Sequence, residues 1–378
     1  MAGLDLHRVA GGAIEIGFLS QTGDDPYSPD ARRDAQILAV ADYLATFVAK
    51  ATKTLDLAVY DFRPQGEAGR RVLEAMKARA GAGVAIRVIH DPSSAGGKDG
   101  ADDHPGLCES PKPAPDGDFL GALAAFAQVK SVSGYRSLMH DKFIVRDVGT
   151  PAAAVLTGST NFTNDAWGLQ ENNLLTLASP ELADHYAASF GELFGRGKIM
   201  DWSGARDTGT ALVGGARVTV AFTPGESDTV IREAVGILGA ARRRVTVASM
   251  VTSSGPVLSA LCEAADRGVP MAGLYDGPQM DTVLRQWRAA HVGPEKTQAW
   301  AHVAGLFKRK ESIPYAPGTP HDFMHLKVIV ADDSVLTGSF NFSNHARGNA
   351  ENALLIRDAA TADLYDGFIK GLVARYGK

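Results

Sequence analysis

Hydrophobic and polar residues fall into the same succession of periods twice along this chain. Residues 14–19 (Ile14-Glu15-Ile16-Gly17-Phe18-Leu19) follow the two-residue period of a strand, and so do residues 218–222 (Val218-Thr219-Val220-Ala221-Phe222). After a turn region, each run gives way to apolar positions three and four apart. Ile37, Val40, Leu44, Phe47 and Val48 form the first such set; Val230, Ile231, Ala234, Val235 and Leu238 form the second. Both sets predict a helix with one buried face. Strand-like runs come next at 55–60 and 245–249, then helices around Val72, Leu73 and Met76 and around Val257, Leu258 and Leu261. Further strands are expected at 84–89 and 269–275, then at 139–145 and 324–330, and at 154–157 and 335–337. Each half closes on an amphipathic helix, carrying Leu182, Tyr186, Phe190 and Leu193 or Leu364, Tyr365, Phe368 and Leu372.

Strands alternating with helices imply βαβ units and a largely parallel sheet in each half. The expected organisation is a first half at 1–201, a Gly/Ser/Thr-rich linker at 202–216 and a second half at 217–378. Two inserts break the symmetry. Residues 93–119 form a long loop in which Lys98 and Lys112 are outnumbered by Asp99, Asp102, Asp103, Glu109, Asp116 and Asp118. Loops of that length are commonly lids or binding loops. The second half instead carries a helical insert from Gln279 to Lys310, basic through Arg285, Arg288, Lys296, Lys308, Arg309 and Lys310. Both inserts precede a motif region and are expected to flank it. A run such as Lys308-Arg309-Lys310 is ordinarily a solvated helix end; beside a site it becomes a candidate substrate contact.

With 378 residues, 45% hydrophobic and 21% charged, the chain has an ordinary globular composition. A net charge of −5 gives no bulk signal for nucleic acid. Cys108 and Cys262 form no disulfide framework, and Cys262 sits among apolar residues at helical spacing, as a buried thiol would. Residues 1–20 lack a basic start followed by an apolar run, and no stretch approaches the ~20 apolar residues of a membrane span. A cytoplasmic location is therefore expected.

The chemistry-bearing pattern is His-x-Lys-x4-Asp, present twice. His140, Lys142 and Asp147 are trailed by Gly158, Ser159, Asn161 and Glu171; His325, Lys327 and Asp332 are trailed by Gly338, Ser339, Asn341 and Glu351. The two serines and the two glutamates keep one common separation. Such a repeat points to a duplicated half-site, and so to one centre built from two histidines. Within each motif strand, His and Lys are two residues apart and share a face. His321 and His325 are four apart, but no His-Glu-x-x-His pattern makes them a metal pair. The group Asp102, Asp103, His104 and Cys108 lies in a loop polar enough to be solvated surface. No Gly-rich phosphate loop followed by Lys-Ser or Lys-Thr is present. No metal and no cofactor are expected.

On these motifs the chain resembles the phospholipase D superfamily, across residues 14–376. The resemblance implies two similar α/β halves with mixed sheets flanked by helices, packed as a pseudo-two-fold pair with both motifs in one cleft. It implies metal-independent phosphodiester cleavage through a covalent phosphohistidine, with His140 as nucleophile and His325 as general acid. The residues suit that chemistry. Lys142 and Lys327 supply positive charge for non-bridging oxygens, and Asn161 and Asn341 supply amide donors. Ser159 and Ser339 are expected to support the phosphate pocket. Glu171 and Glu351 are expected to hold the far ring nitrogens and fix the tautomers. Asp147 and Asp332 are expected to be structural. With both half-sites in one chain, the centre should be complete in a monomer.

For the substrate, residues 337–343 and 349–352 look like the nuclease-type branch, and the basic insert could hold a nucleic-acid backbone. Nucleic acid is therefore slightly favoured. Phospholipase D or phosphatidyltransferase action on a lipid headgroup is the alternative, and a non-catalytic binding module is disfavoured by the intact histidines and lysines.

Overall fold

The computed structural model describes residues 4–92, 118–200, 208–316 and 318–377. The first half contains strands β1 (Asp5–Val9), β2 (Ile14–Leu19), β3 (Thr54–Val59), β4 (Phe62–Arg63), β5 (Ala85–His90), β6 (Gln128–Ser131), β7 (Lys142–Arg146), β8 (Ala154–Gly158), β9 (Phe162–Thr163) and β10 (Asn172–Leu177). Its helices are α1 (Ala31–Ala49), α2 (Gly66–Gly81), α3 (Phe119–Ala124), α4 (Asn164–Gly168) and α5 (Pro180–Arg196). The second half contains β11 (Gly209–Val213), β12 (Ala216–Thr223), β13 (Val245–Ser249), β14 (Met271–Asp276), β15 (Lys308–Lys310), β16 (Lys327–Ala331), β17 (Ser334–Gly338) and β18 (Glu351–Arg357). Its helices are α6 (Ser227–Ala240), α7 (Gly255–Asp266), α8 (Gly277–Ala289), α9 (Pro294–Leu306) and α10 (Ala359–Tyr376).

Each half builds one eight-stranded sheet, in the orders β1-β2-β10-β8-β7-β3-β5-β6 and β11-β12-β18-β17-β16-β13-β14-β15. The two orders match strand for strand. Within these two sheets β3-β5-β6 and β13-β14-β15 are parallel and the other pairings antiparallel; β4 and β9 form a separate parallel pair. The sheets are mixed, and the reading of a largely parallel sheet from strand–helix alternation fails. Parallel pairing is confined to strands joined by long helical crossovers, through α2 and α3 in the first half and through α7 and α8–α9 in the second. The motif strand β16 turns into β17 through Asp332-Asp333 alone, a hairpin that permits only antiparallel strands.

Three apolar cores stack between these layers. Helices α1–α4 cover the outer face of the first sheet, and α6–α9 cover that of the second. The third core lies between the sheets and is filled from both halves by α5 and α10. There Tyr186 packs edge-on to Phe222 of the other half at 5.1 Å, and Phe18 to Tyr365 at 5.1 Å. α5 carries a full set of end signals: Ser179 caps it, Pro180 opens it, and Gly197 closes it at φ 68°.

Two boundaries move. The expected linker at 202–216 contains strand β11, an edge strand paired with β12. Ala211 and Val213 are buried and Leu212 is exposed, and Gly214-Gly215, both at positive φ, makes the hairpin turn. The basic run Lys308-Arg309-Lys310 is not a helix end but strand β15, laid parallel on β14. Of the acidic 93–119 loop, residues 93–117, including Cys108, lie outside the described residues; Asp118 caps α3. Cys262 is half-buried against α9, its thiol 3.5 Å from the Ala299 carbonyl. Among the described residues, no helix is long and apolar enough to cross a membrane.

Candidate active site

Each motif strand is threaded into the opposite half before it enters its own sheet. The His140 N–H donates to the Ala350 carbonyl (2.8 Å), and the His325 N–H donates to the Glu171 carbonyl (3.1 Å). The preceding methionines form the matching bridges, Met139 with Ala350 and Met324 with Glu171. A buried aspartate at the end of the strand two places along the sheet, β5 or β14, fixes each entry point. Asp91 accepts from the Met139 N–H at 2.8 Å, and Asp276 accepts from the Met324 N–H at 2.9 Å. Sequence reasoning missed both aspartates, although each stands at the C-terminal end of the matching strand.

The side chains then converge. Lys142 and Lys327 are buried, and each ammonium donates back to the carbonyl of its own motif histidine, at 2.8 and 2.6 Å. Tyr60 closes one wall, with its ring 4.9 Å from the His140 ring and 5.0 Å from the Lys142 ammonium. The symmetry-related position is Met250, so the two walls differ. Gly158 and Gly338 allow the close approach behind the site. A Cβ at either would collide with the carbonyl oxygen of Asn173 or of Asn352.

The partners of the imidazoles depart from expectation. His140 Nδ1 is 2.7 Å from Oε2 of Glu351, a residue of the other half, and Glu351 Oε1 accepts from Asn349 (3.1 Å). His325 Nδ1 faces not Glu171 but the side-chain oxygen of Asn172, at 2.9 Å. Asn172 is locked in orientation: its amide nitrogen donates to the Ala166 carbonyl and to Gln170, and its oxygen accepts from the Ser159 hydroxyl (2.7 Å). The network therefore assigns the proton of His325 to Nδ1.

Strand register explains why Glu171 fails. Gly158 pairs with Leu174, whereas Gly338 pairs with Ala353. The connection from β8 to β10 is one residue longer than that from β17 to β18. Glu351 is thus the structural counterpart of Asn172, and Glu171 that of Ala350. A one-residue slip turns a side chain to the opposite face. Glu171 accordingly points away, where it accepts from Lys310 (2.6 Å), Tyr376 (2.5 Å) and the Gln21 N–H (3.2 Å).

The remaining motif residues separate by role. Ser159 and Ser339 stand behind the histidine partners, their hydroxyls accepting from the N–H groups of Asn173 and Asn352, each at 3.0 Å. Asn161 is buried, and Asn341 is half-buried with a side-chain oxygen that makes no hydrogen bond to the described residues. Asp147 and Asp332 lie at the far end of the motif strands, at φ 56° and 50°. Asp147 accepts from the N–H groups of Thr52 and Lys53, and Asp332 from those of Arg242, Arg243 and Arg244. His321 packs between Tyr315 and Phe323 at 5.1 and 5.2 Å.

Burial sets the electrostatics. It holds both imidazoles well below the usual histidine range, and the two lysines add to the depression. The same burial pushes the Glu351 carboxyl up to about 8, against the opposing pull of Lys142 and its hydrogen bonds to Asn349 and Ser339. Asp141, between His140 and Lys142, is also buried and raised well above its ordinary value by desolvation and by Glu351. The uncharged centre is therefore flanked by two cations and suits an anion that would restore the balance.

A duplicated α/β fold thus brings two histidines and two lysines together on one cross-threaded seam. Residues 44–194 and 235–372 match the family described as cardiolipin synthase, PLD-like domain. The chain belongs to this family and so to the phospholipase D superfamily, whose members process phosphodiesters. It is 29% identical over 152 residues to a phospholipase D of Rickettsia bellii (strain RML369-C), covering 40% of this chain and 66% of that relative, just under two thirds of its length. The crystal structure of phosphatidylserine synthase from Haemophilus influenzae Rd KW20 shares the fold, with a TM-score of 0.61 and 13% identity over 99% of this chain and 88% of that one. Nuc, a phospholipase D family member from Salmonella typhimurium, matches 43% of this chain and 95% of its own at 22% identity and a TM-score of 0.32.

Proposed function

We propose that the protein is a metal-independent phosphodiesterase or phosphatidyltransferase that acts on phospholipid headgroups through a phosphohistidine on His140. The observation that carries the chemistry is the unequal pair of Nδ1 partners. His140 donates from Nδ1 to a carboxylate, which raises the nucleophilicity of Nε2 and stabilises the cationic phosphohistidine. His325 donates to a neutral amide and so gives up its Nε2 proton more readily. His140 Nε2 forms the N–P bond as the P–O bond to the leaving alcohol breaks, and that oxygen takes the proton from His325 Nε2. Neutral His325 then accepts a proton from water or an acceptor alcohol, whose oxygen attacks phosphorus and displaces His140. Lys142 and Lys327 offset the charge on the non-bridging oxygens.

The preference for lipid over nucleic acid reverses the inference from the basic insert. A nucleic-acid groove needs cations free to meet phosphates. Lys310 is instead buried against Glu171, and Arg309 is held between Asp281 and Glu311. The family description and the Rickettsia relative support the same choice. The test is turnover in excess EDTA on phosphatidylcholine and phosphatidylglycerol vesicles, with single- and double-stranded DNA and RNA alongside. Headgroup release is expected, falling about 10²–10⁴-fold or more in His140→Ala and in His325→Ala. Cleavage of nucleic acid alone would sink the lipid reading. Activity lost in EDTA and restored by a divalent ion would sink the metal-free one.

A further inference from the structure

One buried charge pair separates the two half-sites and lies outside the motifs. The β5–β6 and β14–β15 registers place Lys310 at the position that Val132 holds in the first half. Glu171, as the register above shows, occupies the position of Ala350. Where the half-site around His140 has two buried apolar side chains, Val132 and Ala350, the half-site around His325 has a lysine and a glutamate 2.6 Å apart, exposed by only 1% and 0%. Tyr376, at the end of α10, donates to the same carboxylate, and the Lys310 ammonium lies 5.1 Å from its ring. The pair thus ties together β15, the C-terminal helix, Gln21 after β2 and the segment leading into β10.

Glu171 is also half of the bridge that seats His325. Its carbonyl accepts from the His325 N–H, its N–H donates to the Phe323 carbonyl (3.3 Å), and the next residue is Asn172, which holds the ring. We infer that Lys310, acting through Glu171 and with Tyr376, is a positioning residue for His325 as the proton donor to the leaving group. Buried ion pairs seldom add stability over an apolar pair of the same shape; their best-attested use is to specify one arrangement. Here they specify the seat of one histidine and leave the other on an apolar support. The inference rests on the proposed roles of the two histidines.

Its test is the double variant Glu171→Ala/Lys310→Val, which copies Ala350 and Val132 at the matching positions around His140 and leaves no unpaired buried charge. Two phosphodiester substrates are compared, one with a p-nitrophenol leaving group that departs without a proton and one with an alkyl alcohol that needs it. The value of kcat/KM, which reports the first step and not the later proton transfer to His325, is expected to fall about tenfold or more for the alkyl substrate and to stay within about threefold for the p-nitrophenyl substrate. The alkaline limb of the pH profile should move, and the His325 ring signals in NMR should shift while those of His140 stay. Equal losses on both substrates, or no loss on either, would overturn the inference. Tyr376→Phe, which keeps the ion pair, should show the same leaving-group bias to a smaller degree. If the double variant does not fold, an unbiased Tyr376→Phe overturns the inference. Wild-type protein inactive on both substrates would refute the proposed function instead, and His325 signals unmoved in the variant would then refute the positioning role separately.

Discussion

Burial and the two lysines leave His140 and His325 uncharged before any substrate arrives. An anion seated between the lysines cancels their contribution, so it should raise His325 and bring a proton into the site. The sign follows directly: a base with a depressed pKa gains protons when a negative charge approaches. Inorganic phosphate binding near neutral pH is therefore expected to take up about one proton, seen as a calorimetric heat that changes with the ionisation enthalpy of the buffer. A buffer-independent heat would contradict this. Glu351, raised to about 8, must be ionised to support the nucleophile, so kcat/KM should climb as pH rises toward that value. At the other histidine, Asn172→Asp would place a carboxylate on Nδ1 and favour the charged imidazole. The alkaline limb of kcat should move upward by about one pH unit or more, and an unmoved limb would mean that Asn172 does not govern His325.

At the level of elements, the motif strands and the turns after them were legible because each carries its own local signal. His and Lys two residues apart, followed by an unbroken apolar run, mark β7 and β16, and the closing aspartates fit turns that need a left-handed residue, which Asp tolerates. Asp147 occupies such a turn, and its carboxylate gathers the Thr52 and Lys53 N–H groups at the start of β3. Asp147→Ala should therefore cost about 1–3 kcal/mol of stability with little change in kcat per folded molecule. A large loss of kcat in fully folded protein would give Asp147 a direct part in the chemistry. Glu171 was misread for a reason equally local. Equal spacing in sequence aligned it with Glu351, but strand pairing shifts the first half by one residue, and only the register reveals which of Glu171 and Asn172 faces the ring. Long-range partners such as Asp91, Asp276 and Lys310 left no periodic trace. The Gly214-Gly215 hairpin does leave one, in a stretch whose Gly/Ser/Thr content also fits a linker.

Across the whole molecule, the two halves share what would otherwise be their separate interiors. The central core draws on both sheets, and paired polar links cross it. Asn173 donates to Thr337 and Tyr365, and Asn352 donates to Thr157 and Tyr186. Each histidine also takes its Nδ1 partner from the opposite half, so the site and the interface are one construction. Neither half can lose its fold without exposing the other's inner face, and unfolding should be a single cooperative event. Phe222 tests this, since it is buried in the second half against Tyr186 and Phe143 of the first. Phe222→Ala should cost about 3–5 kcal/mol, and both halves should lose stability together. Fluorescence of variants that keep only Trp167, in the first half, or only Trp300, in the second, would follow each half separately. Coincident transitions, shifted equally by Phe222→Ala, are expected. Two separate transitions, with only the Trp300 signal shifted, would show that the halves fold independently and that their contact is a docking of finished domains.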